Sequence, residues 1–215
     1  MIHFKHNPFL IIISSPSGAG KSTLCRKIIE QDHKIKLSIS ATTRQKRPAE
    51  IDGKDYFFIS KKKFNSMVKN AEFIERACVF GNFYGTPKKM VEDELSDSND
   101  VLFDIDWQGA EQLIKNYGKK NILTIFILPP SIEVLYQRLK SRAQDSEQII
   151  LQRMEMAKNE MVHCDNKYDY ILINDDLKTT YNKIKIIIES FRIKRQGRKE
   201  IRYFRSKLIK NKWKI

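Results

Sequence analysis

From Leu10 to Thr23 the chain reads Leu-Ile-Ile-Ile-Ser-Ser-Pro-Ser-Gly-Ala-Gly-Lys-Ser-Thr, an apolar run that passes directly into a small-residue loop closed by Lys21 and Ser22. That order calls for a strand at about residues 9–14, a tight turn and a helix starting at Lys21. A turn built this way directs successive backbone N–H groups and the positive end of the helix dipole at one point, which suits the oxygens of a phosphate chain. Gly18 and Gly20 give the turn its conformational freedom. Lys21 is placed to reach the terminal phosphates of a nucleotide and the Ser22 hydroxyl to ligate Mg²⁺, as the pattern G-x-x-x-x-G-K-[ST] requires. The first glycine of that pattern is replaced by Ser15, which fits the turn if its φ is negative.

Beyond the loop, strand and helix alternate: a helix over 21–31 and a short strand over 35–40. The alternation then lapses. Between Arg44 and about Lys89 come Tyr56-Phe57-Phe58-Ile59, a short helix over 61–70 and Glu72 to Val79, punctuated by Gly53, Gly81 and Gly85, which reads as an inserted lobe rich in strands. Alternation resumes with Val101 to Asp104, a helix from Trp107, a strand over 122–128, helices over 131–140 and 147–162, a strand over 170–173 and a helix over 177–191. The expected fold is an α/β three-layer core around a parallel sheet.

With 215 residues, 41% of them hydrophobic and 31% charged, the chain has the make-up of one main globular domain. Cys25, Cys78 and Cys164 form no C-x-x-C pair, which points to a reducing, cytoplasmic setting and to neither a disulfide framework nor a zinc site. The apolar run at Leu10 is too short to span a bilayer, so neither a signal peptide nor a membrane segment is expected. The net charge is +14, and Arg192 to Ile215 holds eleven Lys or Arg against the single acid Glu200. A solvated helix face is the favoured reading of this segment, with a nucleic-acid patch as its rival.

The strand Val101-Leu102-Phe103-Asp104 ends in an acid, which sets a carboxylate at the carboxyl edge of the sheet beside the loop, where it can serve Mg²⁺. Asp106 follows two residues on. It either faces the acceptor of the phosphoryl group or caps the helix that starts at Trp107.

These segments resemble the guanylate kinase family from Ile11 to about Asp176. The match runs through Ser40-Ala41-Thr42-Thr43-Arg44-Gln45-Lys46-Arg47, Gly53-Lys54-Asp55-Tyr56-Phe57-Phe58, Phe73-Ile74-Glu75, Gly81-Asn82-Phe83-Tyr84-Gly85-Thr86, Asp104-Ile105-Asp106-Trp107-Gln108-Gly109-Ala110 and Ile173-Asn174-Asp175-Asp176. The resemblance implies transfer of the γ-phosphoryl group of MgATP to GMP or dGMP. It also implies a core over 1–40, 89–137 and 156–215, a GMP-binding lobe over 41–88 and a mobile lid over 138–155. ATP would lie on Ser15, Pro16, Ser17, Gly18, Ala19, Gly20, Lys21, Ser22 and Thr23, with Asn174 by its adenine, and Mg²⁺ on Ser22 and Asp104.

For GMP, the guanidinium forks of Arg44 and Arg47 and the hydroxyls of Tyr56 and Tyr84 make a clamp suited to a dianionic phosphate. Guanine offers N1–H and N2–H₂ as donors and O6 as an acceptor, so the Glu75 carboxylate with the hydroxyls of Ser40 and Thr86 would read it, and Asp106 would lie by the acceptor. Lys21, Arg44 and the lid arginines Arg138, Arg142 and Arg153 would neutralise the charge on the transferred group. Ala143 stands where the family usually has glycine. Three other readings compete: a binding module of the same fold, which would have no use for Lys21 and Ser22; a kinase of ribose phosphates, against which Glu75, Ser40 and Thr86 argue; and a nucleic-acid binder built on the basic tail. Monomer and homo-oligomer stay equally open.

Overall fold

The computed structural model describes residues 6–79, 81–141, 146–162, 164, 167–195 and 198–210. In chain order the elements are β1 (Leu10–Ser14), α1 (Lys21–Gln31), β2 (Ile35–Leu37), β3 (Ala41–Thr42), β4 (Phe57–Phe58), α2 (Lys61–Lys69), β5 (Phe73–Val79), β6 (Asn82–Pro87) and α3 (Lys88–Ser96). There follow β7 (Asp100–Asp104), α4 (Trp107–Tyr117), β8 (Ile122–Leu128), α5 (Ile132–Lys140), α6 (Glu147–Val162), β9 (Tyr170–Ile173), α7 (Leu177–Arg195) and α8 (Arg198–Lys210).

Five strands form a parallel sheet in the order β2-β7-β1-β8-β9. Strand β1 is central and buried along its whole length, which explains why it is an unbroken apolar run instead of an alternating one. Alternate residues divide between two cores. Ile11 and Ile13 pack with Leu102, Ile125, Leu24 of α1 and Ile184 of α7. Leu10 and Ile12 pack on the other face with Phe103, Val91 of α3 and Leu113 of α4. These two helical layers around a sheet give the expected three-layer α/β core.

A second sheet, in the order β4-β3-β6-β5, lies between β2 and α3 in the chain and carries two antiparallel pairings, β3 with β6 and β5 with β6. The loop after β1 opens where the main sheet's strand order changes direction, since β7 and β8 flank β1 on opposite sides; ligands of open parallel sheets settle at such a switch point.

Several boundaries differ from the sequence expectation. Strand β2 stops at Leu37, three residues early, because Ser38 to Ser40 turn toward the second sheet, where the Ser40 carbonyl accepts from Phe57 N–H. Helix α3 was not foreseen; it buries only Val91, so its apolar periodicity is faint. Helix α7 runs past residue 191 to Arg195 because its last turn is anchored. Arg192 bonds the fully buried Asp100 through Nε (3.0 Å) and Nη2 (2.8 Å), and Asp32 through Nη1 (2.6 Å). Arg195 donates to the carbonyls of Pro8 and Lys120. Two cations of the basic segment are thus structural, while Arg202, Arg205 and Lys207 on α8 are exposed, as expected for a solvated face.

Candidate active site

The loop Ser15–Gly20 bends through a turn in which Ala19 N–H donates to the Pro16 carbonyl (3.2 Å), and Gly20 opens α1 without any side-chain cap. Orphan N–H groups at the first turn of a helix need acceptors, and the capping residue, glycine, has no side chain to supply one. Gly20 sits at φ +96°, and a Cβ there would lie 2.4 Å from Asn174 Nδ2, so conformation and space both demand glycine. Ser15 is buried with a φ outside the positive region, which meets the condition set by its departure from the pattern. Its hydroxyl donates to the Pro16 carbonyl at 3.0 Å.

Lys21, Ser22 and Asp104 close on one another. Lys21 Nζ lies 2.5 Å from Asp104 Oδ1 and 3.3 Å from the Ile105 carbonyl, while Ser22 Oγ donates to Asp104 Oδ2 at 2.8 Å. Burial acts to lower the Lys21 pKa, but the charge of Asp104 and its hydrogen bond outweigh it and the net shift is upward, so the ammonium stays charged. The two hard oxygens of Ser22 and Asp104, already 2.8 Å apart, suit Mg²⁺, which takes one or two protein oxygens alongside phosphates and water.

Arg44, Arg47, Tyr56 and Tyr84 line the same cleft as the loop. Arg44 is fixed in part by a residue the sequence reading did not single out, Glu50: its Nη2 donates to Glu50 Oε1 (2.6 Å), its Nη1 to the Gln45 carbonyl (2.7 Å), and its guanidinium lies over the Tyr56 and Phe58 rings. Glu50 also accepts from the Arg47 backbone N–H (2.8 Å), so one acid organises both arginine positions. Burial and the nearby Asp104 raise the Tyr56 phenol, which keeps its proton. Tyr56 and Tyr84 meet edge to face with centroids 5.9 Å apart.

Glu75 is 4% exposed, not the solvent-facing strand residue that alternation alone would suggest. A register shift between Phe73 and Glu75 in the β5–β6 pairing re-aims it. Thr86 Oγ1 donates to its Oε1 at 2.6 Å, and Ser40 Oγ lies 3.1 Å from Thr86 Oγ1, so the three expected base-reading residues form one chain. Thr86 is fully buried and gives its proton to Glu75; it orients the carboxylate, which with Ser40 lines the cleft. On the far side a Cβ at Gly109 would come within 2.8 Å of Glu75 Oε2, so α4 packs this close only because that position is glycine. Burial, opposed by the Thr86 hydrogen bond and reinforced by Asp106, raises Glu75 to about 7.

Asp106 is a helix cap that also borders the cleft. Its Oδ1 caps α4 by accepting from Gly109 N–H (3.0 Å), and it lines the cleft. The lid residues divide. Arg153 lines the cleft with Ile149 and Gln152 from α6. Arg138 is held beside the loop, Nη2 on the Asn174 carbonyl at 3.2 Å. Arg142 and Ala143 lie outside the described residues. Asn174 is buried after β9, and its Nδ2 donates to the Ala19 carbonyl at 2.8 Å, so it braces the loop from behind. Thr23 is exposed on the first turn of α1. Glu160 of α6 also faces the cleft, a residue whose only sequence signal is its seven-residue spacing from Arg153.

The cleft, about 570 Å³, therefore joins two sets of groups: the turn and helix start after β1 with Lys21, Ser22 and Asp104, and a lobe presenting Arg44, Arg47, two phenols and a buried carboxylate. Comparison with known proteins agrees with this geometry. The family model described as guanylate kinase matches residues 7–191. A guanylate kinase of Rickettsia bellii is 51% identical over 191 residues, covering 89% of this chain and 98% of that protein, and one of Rickettsia prowazekii is 49% identical over 191 residues, covering 89% and 95%. The crystal structure of guanylate kinase from Anaplasma phagocytophilum superposes with a TM-score of 0.71 at 36% identity, covering 87% of each chain. With a family model matched over most of its length and relatives about half identical over nearly their whole length, the chain belongs to the guanylate kinase family.

Proposed function

We propose that this chain carries out the reaction for which its family is named, moving the γ-phosphoryl group of ATP to GMP or dGMP to give ADP and GDP or dGDP. One observation carries the reading: the loop and the buried carboxylate Glu75 face a single cleft, so a donor phosphate chain and an acceptor nucleotide can meet there. Ser15 to Thr23 form the ATP phosphate site, with backbone N–H groups of the loop and helix start as donors, and Lys21 leaves Asp104 for the phosphate oxygens. Arg44, Arg47, Tyr56 and Tyr84 bind the GMP phosphate, whose oxygen is the nucleophile. Ionised Glu75 and the Ser40 hydroxyl read guanine, with Thr86 fixing Glu75, and Asp106 stands beside the acceptor. Arg138, Arg142 and Arg153 join Lys21 in neutralising charge as it spreads over the transferred oxygens.

Ser22 and Asp104 would hold Mg²⁺, which when bound would supply neutralisation of the phosphate charge. Asn174 acts through the loop it braces and lies by the adenine. The regions 41–88 and 138–155 serve as acceptor lobe and lid on the core formed by 1–40, 89–137 and 156–215. Among the described residues no helix is long and apolar enough to cross a membrane. The free thiols of Cys25 and Cys78 fit a reducing, cytoplasmic setting.

The test is ADP release from MgATP with GMP, dGMP, AMP, UMP, CMP and ribose phosphates offered one at a time. Turnover confined to GMP and dGMP is expected. Turnover with a ribose phosphate and none with GMP would overturn the reading.

A further inference from the structure

Strand β5 ends the second sheet on one side, so among the described residues one of its edges has no strand beside it. Such an edge leaves main-chain N–H and C=O groups to be satisfied elsewhere. Here α4 satisfies them. Gln112 Oε1 accepts from the Arg76 N–H at 3.1 Å and Gln112 Nε2 donates to the Arg76 carbonyl at 2.6 Å, so one side-chain amide exchanges both bonds with a single residue, as a neighbouring strand would. One helical turn on, Asn116 Nδ2 donates to the Ile74 carbonyl at 3.3 Å. Ile74 and Arg76 stand on either side of Glu75, which is itself paired with Thr86 of β6. Gly109, three residues before Gln112, lies on the same face of α4, and it is there that an added Cβ would come 2.8 Å from Glu75 Oε2. The Ile74 side chain joins the core cluster of Leu10, Ile12, Phe103 and Leu113. Main chain and side chain together tie this stretch of β5 to the core.

We propose that Gln112 is a positioning residue for guanine recognition, with Asn116 as its auxiliary: standing in for a missing strand on the free edge of β5, it sets the Glu75 carboxylate against the base. The proposal rests on reading Glu75 as the acceptor for guanine N1–H and N2–H₂. A carboxylate that takes two donors at once must be held to within about 0.5 Å of its working position, and that demands support for the main chain that carries it. Thr86 orients the carboxylate from the β6 side and Gly109 leaves room for it, yet neither holds the outer edge of β5. Gln112 does. Neither Gln112 nor Asn116 lines the cleft, so both act through Glu75 and touch no substrate.

The experiment measures steady-state turnover of the full chain at saturating MgATP with GMP and with inosine monophosphate, which lacks the N2 amino group. The proteins are the wild type, Gln112→Met, Gln112→Glu, Asn116→Ala, Glu75→Gln and the double variant Gln112→Met with Glu75→Gln. Gln112→Met, close in size but unable to bond Arg76, should lower kcat/KM about tenfold for GMP, through KM, and about threefold for inosine monophosphate, which has one donor to lose where GMP has two. Gln112→Glu keeps the length and the acceptor and loses only the donor, so the ratio of GMP to inosine monophosphate use should fall about twofold, and Asn116→Ala should lower it less. KM for ATP should hold throughout, and in the Glu75→Gln background the Gln112 change should leave the ratio where it is. A purely structural role would reduce turnover of both nucleotides alike. A wild-type ratio in both Gln112 variants, while Glu75→Gln loses it, would overturn the proposal; a wild-type ratio in Glu75→Gln would overturn the reading of Glu75 on which it rests. Circular dichroism and thermal melts check folding, and Gln112→Glu decides the outcome if Gln112→Met does not fold.

Discussion

In the proposed reaction the loop after β1 and the second-sheet lobe would bind the same kind of group by opposite means. The loop uses main-chain N–H groups set by a buried strand, two glycines and a helix start, with Lys21 as its cation. The lobe uses side chains, and two of them are held by others, Arg44 by Glu50 and Glu75 by Thr86, with Glu75 also fitted to the space left at Gly109. Backbone geometry is fixed once the fold forms, whereas a side-chain site is only as good as its supports. Damage to the loop should therefore be severe and concentrated in catalysis, and damage to the lobe graded and concentrated in the acceptor.

Lys21→Ala gives the largest expected effect. It removes a cation whose interaction grows as charge spreads in the transition state, so kcat should fall on the order of a thousandfold with circular dichroism unchanged. Near-normal turnover would erase the contrast between the two regions.

Glu75→Gln comes next. It sets a donor against a donor of guanine, and kcat/KM for GMP should fall by about 1–3 kcal/mol while KM for ATP holds. The same change should stabilise the free protein in alkaline solution. Burial raises the folded pKa of Glu75 to about 7 against an ordinary 4.5, so the folded state holds the proton more tightly than the unfolded one. Its destabilising effect therefore develops as pH rises from 4.5 through 7 and is complete above that. Melting curves of both proteins should diverge at pH 8, by on the order of 2–3 kcal/mol in favour of the variant, and converge near pH 4. The same ionisation predicts that wild-type kcat/KM for GMP declines as pH is lowered through about 7, since protonated Glu75 cannot accept from guanine. A flat acid limb in that profile would remove Glu75 from base reading.

Gly109→Ala sharpens the comparison without touching a reading group. The added Cβ would come 2.8 Å from Glu75 Oε2 and must displace it, so KM for GMP should rise severalfold with kcat for saturated enzyme nearly kept. The smallest effect belongs to Glu50→Gln, which loosens Arg44 while leaving its charge: a two- to threefold rise in KM for GMP, on the order of 0.5 kcal/mol, read from steady-state kinetics.

The contrast also explains what could be read from the residues alone. Core strands and the loop were legible because an apolar run ending in Gly-Lys-Ser admits one local geometry. The lobe's candidates Arg44, Tyr56, Tyr84 and Glu75 came through a family resemblance, and the support that Glu50 gives Arg44 did not come at all. Glu50 is one acid among many in a polar stretch, and nothing local marks it as a partner of Arg44. Thr86 was taken for a reader of the base, yet burial commits its proton to Glu75. Asp106 was posed as a choice between cap and site, a choice that dissolves once one oxygen serves α4 and the residue still faces the cleft. Helix α3 escaped because Val91 alone marks its buried face.

The hydrogen bond from Asn174 to the Ala19 carbonyl spans 155 positions of the chain. During synthesis the ribosome delivers every residue of the loop early and the amide that braces it late, after β9 has been made. A nascent chain ending before that strand carries the loop's letters without its last tether, and the contact forms only when the edge of the sheet is closed.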